Sequence, residues 1–407
     1  MNKKILTFLT AAVMTCSAMP VLTANAAESG TCGENLTWTL DDSGTLTISG
    51  TGNMTDYEGL ASPFCERSDI RTVIVAQGVQ SIGYGAFYGC ENLTQVVIPD
   101  TVSYFGGYVF GATPWLKAKR AESPFVIING ILIDGAACEG AVNIPDSVKA
   151  IARYAFYGGR NMMTSVTIPD SVTYIGENAF RQCSKLTSVT LPDSITTIRS
   201  STFLSCSALL EITIPESVTG IESSAFEFCE SLAEINIPDS VEYIGDAAFA
   251  YCDSLTDVTI PESIKSIGRW AFSYCDQLTS VTIPGSVTEI GKPAFGDEKS
   301  VTIKGYTKSE AERHAQLYRM KFQSLGLWKG DLNGNGKVEI DDAQTVLNDY
   351  VEVISGEKST LTAEQNKAAD VSGDNIVSID DAQFILNYYV LNTVSDISTT
   401  WGKLLAN

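Results

Sequence analysis

The chain has 407 residues, of which 44% are hydrophobic, and it carries a net charge of −21. That charge excludes nucleic acid and anionic membrane surfaces as expected partners, because both require a basic face on the protein. The chain contains 1 histidine, which excludes a zinc site built from several histidines and argues against a Ser-His-Asp or Cys-His catalytic centre.

The first residues have the pattern of an export signal. Two lysines precede an apolar run over residues 5–14, and an Ala-Asn-Ala sequence ends at Ala26. We therefore predict a signal peptide over residues 1–26 and a secreted, extracellular protein; a lipid anchor at Cys16 is the alternative. No later stretch reaches the roughly 18 apolar residues that a membrane helix needs, so no membrane span is expected.

Residues 27–70 follow the signal, and residues 36–49 (LTWTLDDSGTLTIS) alternate apolar and polar side chains around an Asp-Ser-Gly turn. This pattern predicts a hairpin. Because an open sheet edge invites aggregation, we expect the hairpin to cap the first edge of a larger sheet.

The middle of the chain, residues 71–304, repeats at a period of 23 residues. The unit reads LxxVTIPDSVxxIGxxAFxxCxxL, and its Ile-Pro or Leu-Pro landmark falls at Pro99, Pro145, Pro169, Pro192, Pro215, Pro238, Pro261 and Pro284. Alternation predicts a strand before each proline, which ends it, and a second short strand and a turn with Ala-Phe after it. About nine such rungs, about 4.8 Å apart, would bury their apolar side chains only against neighbouring rungs.

A repeat of 20–29 residues with regularly placed leucines is the signature of leucine-rich repeats. This version resembles the BspA-like leucine-rich repeat of bacterial surface proteins. The resemblance implies a right-handed, mainly β solenoid of short strands and turns.

One rung departs from the repeat between Pro99 and Pro145. Apolar segments on either side of Asn129 and Gly130 predict an inserted hairpin within about residues 112–140, since Asn-Gly is a strong hairpin signal. The insertion is either a spacer packed on the solenoid or part of a binding site.

Cysteines recur once per rung, at Cys90, Cys183, Cys206, Cys229, Cys252 and Cys275. Side chains on successive parallel rungs lie farther apart than the roughly 3.8 Å between Cβ atoms that a disulfide needs. We therefore expect small buried thiols rather than disulfides. Cys32 and Cys65, in the N-terminal cap, are better candidates for a bridge.

An outward column of carboxylates, Glu211, Glu234 and Asp257, follows the same spacing. Two carboxylates about 5 Å apart suit retaining glycoside hydrolysis. Nothing sets one of these groups apart as the acid, however, so a solvated polar face is the preferred interpretation.

An aromatic column lies one residue before three of the cysteines. It consists of Phe228, Tyr251 and Tyr274, with Trp270 nearby. These rings are either packing residues at the turns or a ligand surface, since exposed aromatics stack on sugars and insert into protein partners.

Residues 305–328 are expected to form a C-terminal cap and linker. Residues 309–324 have a helical pattern, with Ser309 as N-cap and Glu312 three positions on, the pattern of a capping box. We expect the single histidine, His314, to lie on the surface of this helix.

Two copies of a 12-residue calcium-loop pattern end the chain. Such a loop supplies oxygens from positions 1, 3 and 5, a backbone carbonyl at 7, position 9, often through water, and a carboxylate at 12. The first set of predicted ligands is Asp331, Asn333, Asn335, the Lys337 carbonyl, Glu339 and Asp342; the second is Asp370, Ser372, Asp374, the Ile376 carbonyl, Ser378 and Asp381. Gly336 and Asn375 occupy the sharp turn at position 6. We predict two bound calcium ions, the second held more weakly.

Aspartate rather than glutamate at position 12, and no helix pattern before the first loop, make residues 329–391 resemble a type I dockerin. That family attaches secreted proteins to cohesin domains on cellulosome scaffolds. The resemblance implies a cohesin contact through loop positions 10 and 11 and the following helix, here Ile340, Asp341, Gln344 and Leu347 in the first copy and Ile379, Asp380, Gln383 and Leu386 in the second. The pairwise match predicts that either copy can dock. A tail over residues 392–407 completes the chain, and Trp328 and Trp401 are expected to meet or the tail to be disordered.

Three functions remain open for the whole chain. The leading hypothesis is a non-catalytic cellulosome component whose repeats bind a polysaccharide or a protein and so support polysaccharide breakdown. The alternatives are a cellulosomal hydrolase of O-glycosyl bonds with an unrecognised site, and a structural spacer or surface adhesin.

Overall fold

The computed structural model describes residues 26–57, 59, 61–157, 162–296, 301–395, 397 and 399–406. The predicted signal peptide and the alternative anchor at Cys16 lie outside the described residues, apart from Ala26. From Ala26 onward the chain forms a β-solenoid of about 12 turns with a period near 23 residues, followed by a small helical unit. The predicted solenoid is confirmed, with more turns than the about nine expected, because strands in the caps and the insertion extend the stack.

The first face of the solenoid carries the strands that precede each proline. Numbered in chain order with those of the second face, they are β1 (Ala26–Gly33), β2 (Leu36–Asp41), β3 (Thr45–Gly50), β5 (Thr72–Val75), β7 (Gln95–Val97), β11 (Glu139–Asn143), β13 (Met162–Thr167), β15 (Ser188–Thr190), β17 (Glu211–Ile212), β20 (Asp257–Thr259), β22 (Ser280–Thr282), β24 (Thr302–Gly305) and β25 (Lys321–Ser324). From β3 onward neighbouring strands are parallel, as in the pairing of Val189 with Ile212.

The second face carries the short strands after each proline. They are β4 (Gly52–Asn53), β6 (Val79–Ile82), β8 (Tyr104–Phe105), β9 (Val126–Ile128), β10 (Ile131–Asp134), β12 (Ala150–Ile151), β14 (Tyr174–Ile175), β16 (Thr197–Ile198), β18 (Gly220–Ile221), β19 (Tyr243–Ile244), β21 (Ser266–Ile267) and β23 (Glu289–Ile290). Here too the rungs pair in parallel, Ile221 with Ile244 for example.

Two ladders run through the core between these faces. The phenylalanines of successive turns stack, with centroids 5.2 Å apart and planes 7° apart at Phe226 and Phe249. Each cysteine thiol donates to the carbonyl of the phenylalanine one rung back, as from Cys229 Sγ to Phe203 O at 3.3 Å. The sequence predicted buried thiols but not this hydrogen bond, which adds a second donor to a carbonyl that already accepts from its own turn, as Phe203 O does from Cys206 N at 3.1 Å.

The insertion contains a helix that the sequence analysis did not predict. Helix α1 (Pro114–Glu122) is capped by Thr113, whose hydroxyl accepts from Leu116 N, and it occupies the place of a first-face strand. The antiparallel hairpin β9–β10 follows, and β10 pairs in parallel with β12, so it supplies the second-face strand of that turn. In this rung the second face therefore keeps its strand, β10, and on the first face helix α1 replaces the strand.

The chain turns early after β10, and this shortens the rung. Gly135 lies against the ring of Phe156, where an added Cβ would be 2.3 Å from Cε1. Residues 135–138 read Gly-Ala-Ala-Cys, so this turn adds no phenylalanine to the ladder. Phe110 packs instead on Trp115 of α1, with centroids 4.6 Å apart, and a new stack begins at Phe156.

The N-terminal edge is covered by a three-stranded antiparallel meander rather than a hairpin alone. The predicted hairpin is β2–β3, and β1, which the sequence analysis did not predict, pairs along β2. Cys32 and Cys65 are free thiols in this cap, so the suggested bridge is absent from the structure.

The C-terminal cap differs from the expected helix over residues 309–324. Helix α2 (Glu310–Tyr318) stops because Arg319 is left-handed (φ 56°), and the chain then forms β25, which pairs with β24. Ser309 caps the helix, but the Glu312 carboxylate accepts from Lys308 N at 2.6 Å and not from the cap residue.

His314 is buried, which corrects the expectation of a surface residue. Its side chain is 0% exposed because α2 lies across the last rung, where the ring contacts Phe295 and Tyr318. Burial lowers the pKa of His314 to about 4, and neither ring nitrogen has a hydrogen-bond partner. The histidine is a packing residue of the cap.

The rest of the chain is helical. It comprises α3 (Ile340–Ile354), α4 (Ala363–Ala369), α5 (Ile379–Tyr389), a π-helical turn (Val390–Val394) and α6 (Trp401–Leu405). Trp328 and Trp401 do not stack on each other; Tyr388 lies between them, 5.9 Å from the first ring and 4.2 Å from the second.

This helical unit rests on the side of the solenoid. Trp328 lies over Gly285, where an added Cβ would be 2.2 Å from the indole. Earlier repeats carry Asp or Glu at the position of Gly285, after the landmark proline. The glycine therefore makes room for the tryptophan at the one rung on which it packs.

Candidate functional site

The first acidic loop is organised around two buried carboxylates. Asp331 and Asp342 are each 0% exposed. Asp331 accepts hydrogen bonds from Asn335 N at 3.1 Å and Gly336 N at 2.8 Å. Asp342 accepts from Leu332 N at 3.0 Å and Glu339 N at 2.8 Å, which ties the end of the loop to its beginning.

The electrostatics of this loop suit a cation. Burial raises the pKa of Asp331 to about 6 and that of Asp342 above its usual range, and the two carboxylates repel each other. A hard divalent cation between oxygen ligands removes that penalty. Gly336 is left-handed (φ 86°) as the turn requires, and Asn335 Oδ1 accepts from Lys337 N at 2.9 Å.

The second loop repeats this hydrogen-bond pattern. Asp370 accepts from Asp374 N at 3.1 Å and Asn375 N at 2.9 Å, and Asp381 accepts from Ser372 N and Ser378 N, both at 2.9 Å. Asn375 adopts the left-handed conformation (φ 66°) that Gly336 has in the first loop. The two loops therefore have the same fold.

The two loops differ in their surroundings. Residues 372–376 of the second loop are all exposed, whereas Gly334 of the first is buried. Gly336 lies against the Lys308 carbonyl of the C-terminal cap, 2.7 Å from an ideal Cβ. Across the described part of the chain, no group of three or more His, Cys, Asp or Glu side chains is arranged to hold a metal ion. The individual ligand assignments of both loops thus stay predictions.

Both helices that follow the loops present the predicted docking residues to solvent. Ile340 is 53% exposed and Ile379 is 51% exposed, although both are large and apolar. Asp341, Gln344, Asp380 and Gln383 are exposed, and Leu347 and Leu386 are half-buried. The opposite sides of α3 and α5 pack together through buried Val346 and Ile385. Two similar surfaces are therefore free on one small unit.

The aromatic column on the solenoid is a stack of rings. Phe228 and Tyr251 lie 4.3 Å apart, Tyr251 and Tyr274 lie 4.6 Å apart, and their planes are within 14°. Tyr274 is 50% and Trp270 45% exposed. All four are left-handed (φ 55–60°), a conformation that the turn imposes at these positions in most rungs. Most of the ring faces of the stack are covered by each other.

The carboxylate column gives no sign of catalysis. Glu211 and Asp257 are exposed on the strand face, and Asp257 accepts from Thr279 Oγ1 at 3.2 Å and from Ser280 Oγ. The two residues lie on strands β17 and β20, and Glu234 on the intervening rung is also exposed. The column has the features of a solvated polar face.

A cavity that the sequence analysis did not identify lies beside the insertion. It measures about 280 Å³, and its lining includes Tyr88, Tyr108, Tyr154 and Tyr157 together with Arg120 and Asp134. In the sequence, the cavity was indicated only by the tyrosines in the repeat turns. These tyrosines lie around one cavity only because the rung between them is shortened, which the sequence pattern does not show.

None of the helices in the described ranges combines the length and apolar character needed to cross a membrane.

Comparisons with known proteins agree with the two-part architecture. The family model for the BspA type leucine rich repeat region matches in six copies, over residues 61–129, 138–256 and 219–311. The model for the dockerin type I domain matches residues 329–389. A search of curated proteins finds no match.

Several solved structures are similar to the solenoid. A leucine-rich repeat protein from Bacteroides ovatus ATCC 8483 is 24% identical, with 67% of this chain and 70% of that chain covered and a TM-score of 0.42. A leucine rich cell surface protein from Faecalibacterium prausnitzii A2-165 is 25% identical, with 72% and 98% covered and a TM-score of 0.39. A leucine-rich repeat protein from Eubacterium ventriosum ATCC 27560 is 22% identical, with 67% and 90% covered and a TM-score of 0.34.

Proposed function

Because the chain belongs to the BspA-type leucine-rich-repeat family and ends in a type I dockerin domain, we propose that it is a secreted, non-catalytic component of a cellulosome. Its dockerin binds a cohesin domain of a scaffold protein when two calcium ions are held by the loops. Its solenoid binds a polysaccharide or a protein ligand and so supports polysaccharide breakdown by neighbouring enzymes.

The observation that carries the proposal is the pair of exposed docking surfaces on the dockerin. Ile340 and Ile379 are each more than half exposed, and an exposed aliphatic side chain beside a rim of polar groups is typical of a protein-binding surface. Their loops place Asp341 and Asp380 next to them in the same way. Each surface therefore offers the same chemistry to a cohesin.

Calcium supports the docking helices because each loop ends inside the helix it precedes. Asp342 and Asp381 are at the third position of α3 and α5 and complete a capping box with Glu339 and Ser378. An ion held by the same carboxylates orders the first turn of each helix. That turn carries the predicted cohesin contacts.

The environments of the histidine and of the carboxylate column support the non-catalytic role. The one histidine is buried under the cap without a polar partner, and the carboxylate column is a uniform exposed face. A glycoside hydrolase needs two carboxylates in different environments. Release of reducing sugars from a polysaccharide panel by the purified protein would overturn this part of the proposal.

The docking proposal is tested by capture on immobilised cohesins in calcium and in chelator. The paired variants are Ile340→Ala with Asp341→Ala, Ile379→Ala with Asp380→Ala, and all four changes together. Each pair alone should retain capture, because the other copy still docks, and the fourfold variant should lose it. Glu364→Ala, at an exposed position of helix α4, is the matched control. Loss of capture in either pair alone contradicts docking through both copies.

A further inference from the structure

The shortened rung leaves a slot in the side of the solenoid. In the turns on either side, the chain passes through an Ala-Phe or Val-Phe turn that fills the space between neighbouring rungs. After β10 the chain instead turns back at Gly135, whose N–H donates to Ala155 O at 2.7 Å. The missing turn leaves the cavity of about 280 Å³ between the rung of Phe110 and the rung of Phe156.

Tyrosines from three rungs, those of Phe87, Phe110 and Phe156, surround this slot. Tyr108 lies 4.6 Å from Tyr154 and 5.7 Å from Tyr157, between ring centroids, and Tyr88 lies 6.5 Å from Tyr108. Tyr84 joins the same group, 5.6 Å from Tyr108. Three of these four contacts are edge-to-face, so the rings do not form a parallel stack like the column at Tyr251.

Two glycines make room for the rings. An added Cβ on Gly107 would be 2.5 Å from the Tyr154 ring, and one on Gly111 would be 2.6 Å from the Tyr88 ring. Neither glycine has a positive φ, so the backbone conformation does not require glycine there. Glycine is required at both positions because the tyrosine rings approach the backbone closely.

The tyrosines at the centre of the slot oppose the local backbone preference. The turn position of Tyr108 and Tyr154 is left-handed in most rungs, with φ 57° and 59° at these two residues. Gly85 fills this position one rung earlier, and Asn178, Ser201, Ser224, Ala247 and Trp270 fill it in later rungs. A bulky side chain is disfavoured in this conformation. Two tyrosines at this position are thus not explained by the turn.

A charged pair closes one end of the slot. Arg120 of α1 donates from Nε to Asp134 Oδ1 at 2.8 Å and from Nη2 to Oδ2 at 2.7 Å. Asp134 is 8% exposed, so the pair is fixed in place and electrically neutral. It leaves guanidinium N–H donors and carboxylate lone pairs that hydroxyl groups can use, without net charge for an ionic ligand.

We propose that this slot binds a neutral carbohydrate unit of a polysaccharide. Aromatic faces beside polar donors and acceptors suit a sugar ring, which has apolar C–H faces and hydroxyls at its edge. The volume lies just below the roughly 300–1,000 Å³ of typical ligand pockets, which favours one sugar unit at a chain end or branch. The inference deepens the ligand-binding role in the proposed function and rests on it.

The test uses the full chain in calcium, titrated by calorimetry with neutral cello-, xylo- and manno-oligosaccharides. At least one of them should bind, and Tyr88→Ala and Tyr157→Ala should each weaken its binding at least tenfold. Tyr251→Ala, in the stacked column, is the matched control and should not weaken binding. Gly111→Ala provides a second variant, since it displaces the Tyr88 ring while leaving the phenylalanine ladder intact; it should also weaken binding, with an unchanged melting temperature.

Two results would overturn the inference. One is the absence of binding by every oligosaccharide at millimolar concentration while cohesin capture is normal, which leaves the docking function standing. The other is binding that Tyr251→Ala weakens and the slot variants do not, which places the ligand on the stacked column. Failure of cohesin capture with intact sugar binding would instead overturn the docking proposal and support the slot.

Discussion

The solenoid and the dockerin use different means to stay folded. In the solenoid most rungs bury a phenylalanine, a cysteine and several aliphatic side chains against the next rung, and stability grows along the stack. The dockerin has a core of few residues around Val346 and Ile385 and holds Asp331 and Asp342 in its interior. A domain of about this size is marginal without a metal or other staple. One region is therefore stabilised by repetition, and the other is expected to depend on bound ions.

Removal of calcium should cause the largest difference in stability between the two regions. In chelator the dockerin should lose its fold and its cohesin affinity, because each of the two proposed ions, at about a thousandfold above its dissociation constant, supplies about 4 kcal/mol. The solenoid should keep its β spectrum and its melting temperature. Circular dichroism melts with calcium and with chelator would check this. A single transition that shifts as a whole would contradict the separation of the two regions.

Truncation of the phenylalanine ladder should have the next largest effect, and in the opposite region. Phe226→Ala removes a fully buried ring between Phe203 and Phe249 and should cost about 3–5 kcal/mol. Calcium affinity and cohesin capture should not change. Phe228→Ala, two residues on, is the control and should cost less because its ring is half-buried. The measurement is denaturant unfolding of both variants in calcium.

Acid should weaken the solenoid at its C-terminal cap. The pKa of His314 is about 4 in the folded chain and 6.5 when exposed, so only the unfolded chain takes up this proton between those values. The contribution is fully present above pH 6.5 and is lost as the pH falls towards 4, by about 3 kcal/mol in total. Glu310, Arg313 and Lys292 are the charged groups around it.

Comparison with His314→Leu isolates this effect. The variant should lose the part of the pH dependence between pH 6.5 and 4 while retaining the titration of the carboxylates. Urea unfolding across this range would measure it. Equal pH slopes in the two proteins would show that the histidine is accessible to protons in the folded cap.

The smallest effect should arise where the two regions meet. Gly285→Asp restores the residue type of the other repeats but places a side chain where Trp328 lies, at a cost of about 1–3 kcal/mol. The dockerin should separate from the solenoid without unfolding, so the short connection over residues 325–328, between β25 and the dockerin, should be cleaved faster by protease. Asp239→Gly, the inverse change two rungs earlier, is the control. Unchanged cleavage would mean that Trp328 does not hold the unit.

The repeat and the loops were predictable because each is a local pattern. The landmark proline, the Val-Thr-Ile alternation and the Ala-Phe turn specify a rung without reference to distant residues, and the calcium-loop pattern specifies the loop in the same way. The exposure of Ile340 and Ile379 followed from the family resemblance. These features needed no knowledge of tertiary contacts.

The missed features depend on neighbours distant in sequence. His314 is buried because α2 lies across Phe295, and nothing in the helix itself shows this. Helix α1 consists mainly of helix-forming residues, but its place in the stack depends on contacts with the preceding rung, where Trp115 N donates to Leu93 O at 2.9 Å. The tyrosine slot arises only when the rung after β10 is shortened, which brings Tyr88 and Tyr157 from different turns to one cavity.

Gly285 also determines how the protein would point within an assembly. Because Trp328 packs on the solenoid at Gly285, the long axis of the solenoid should keep a fixed direction relative to the two predicted docking surfaces. If a cohesin bound the second dockerin copy instead of the first, the solenoid would adopt a different orientation relative to that cohesin. The near two-fold repeat of the dockerin, together with the glycine at position 285, would then give one protein two defined orientations on a scaffold.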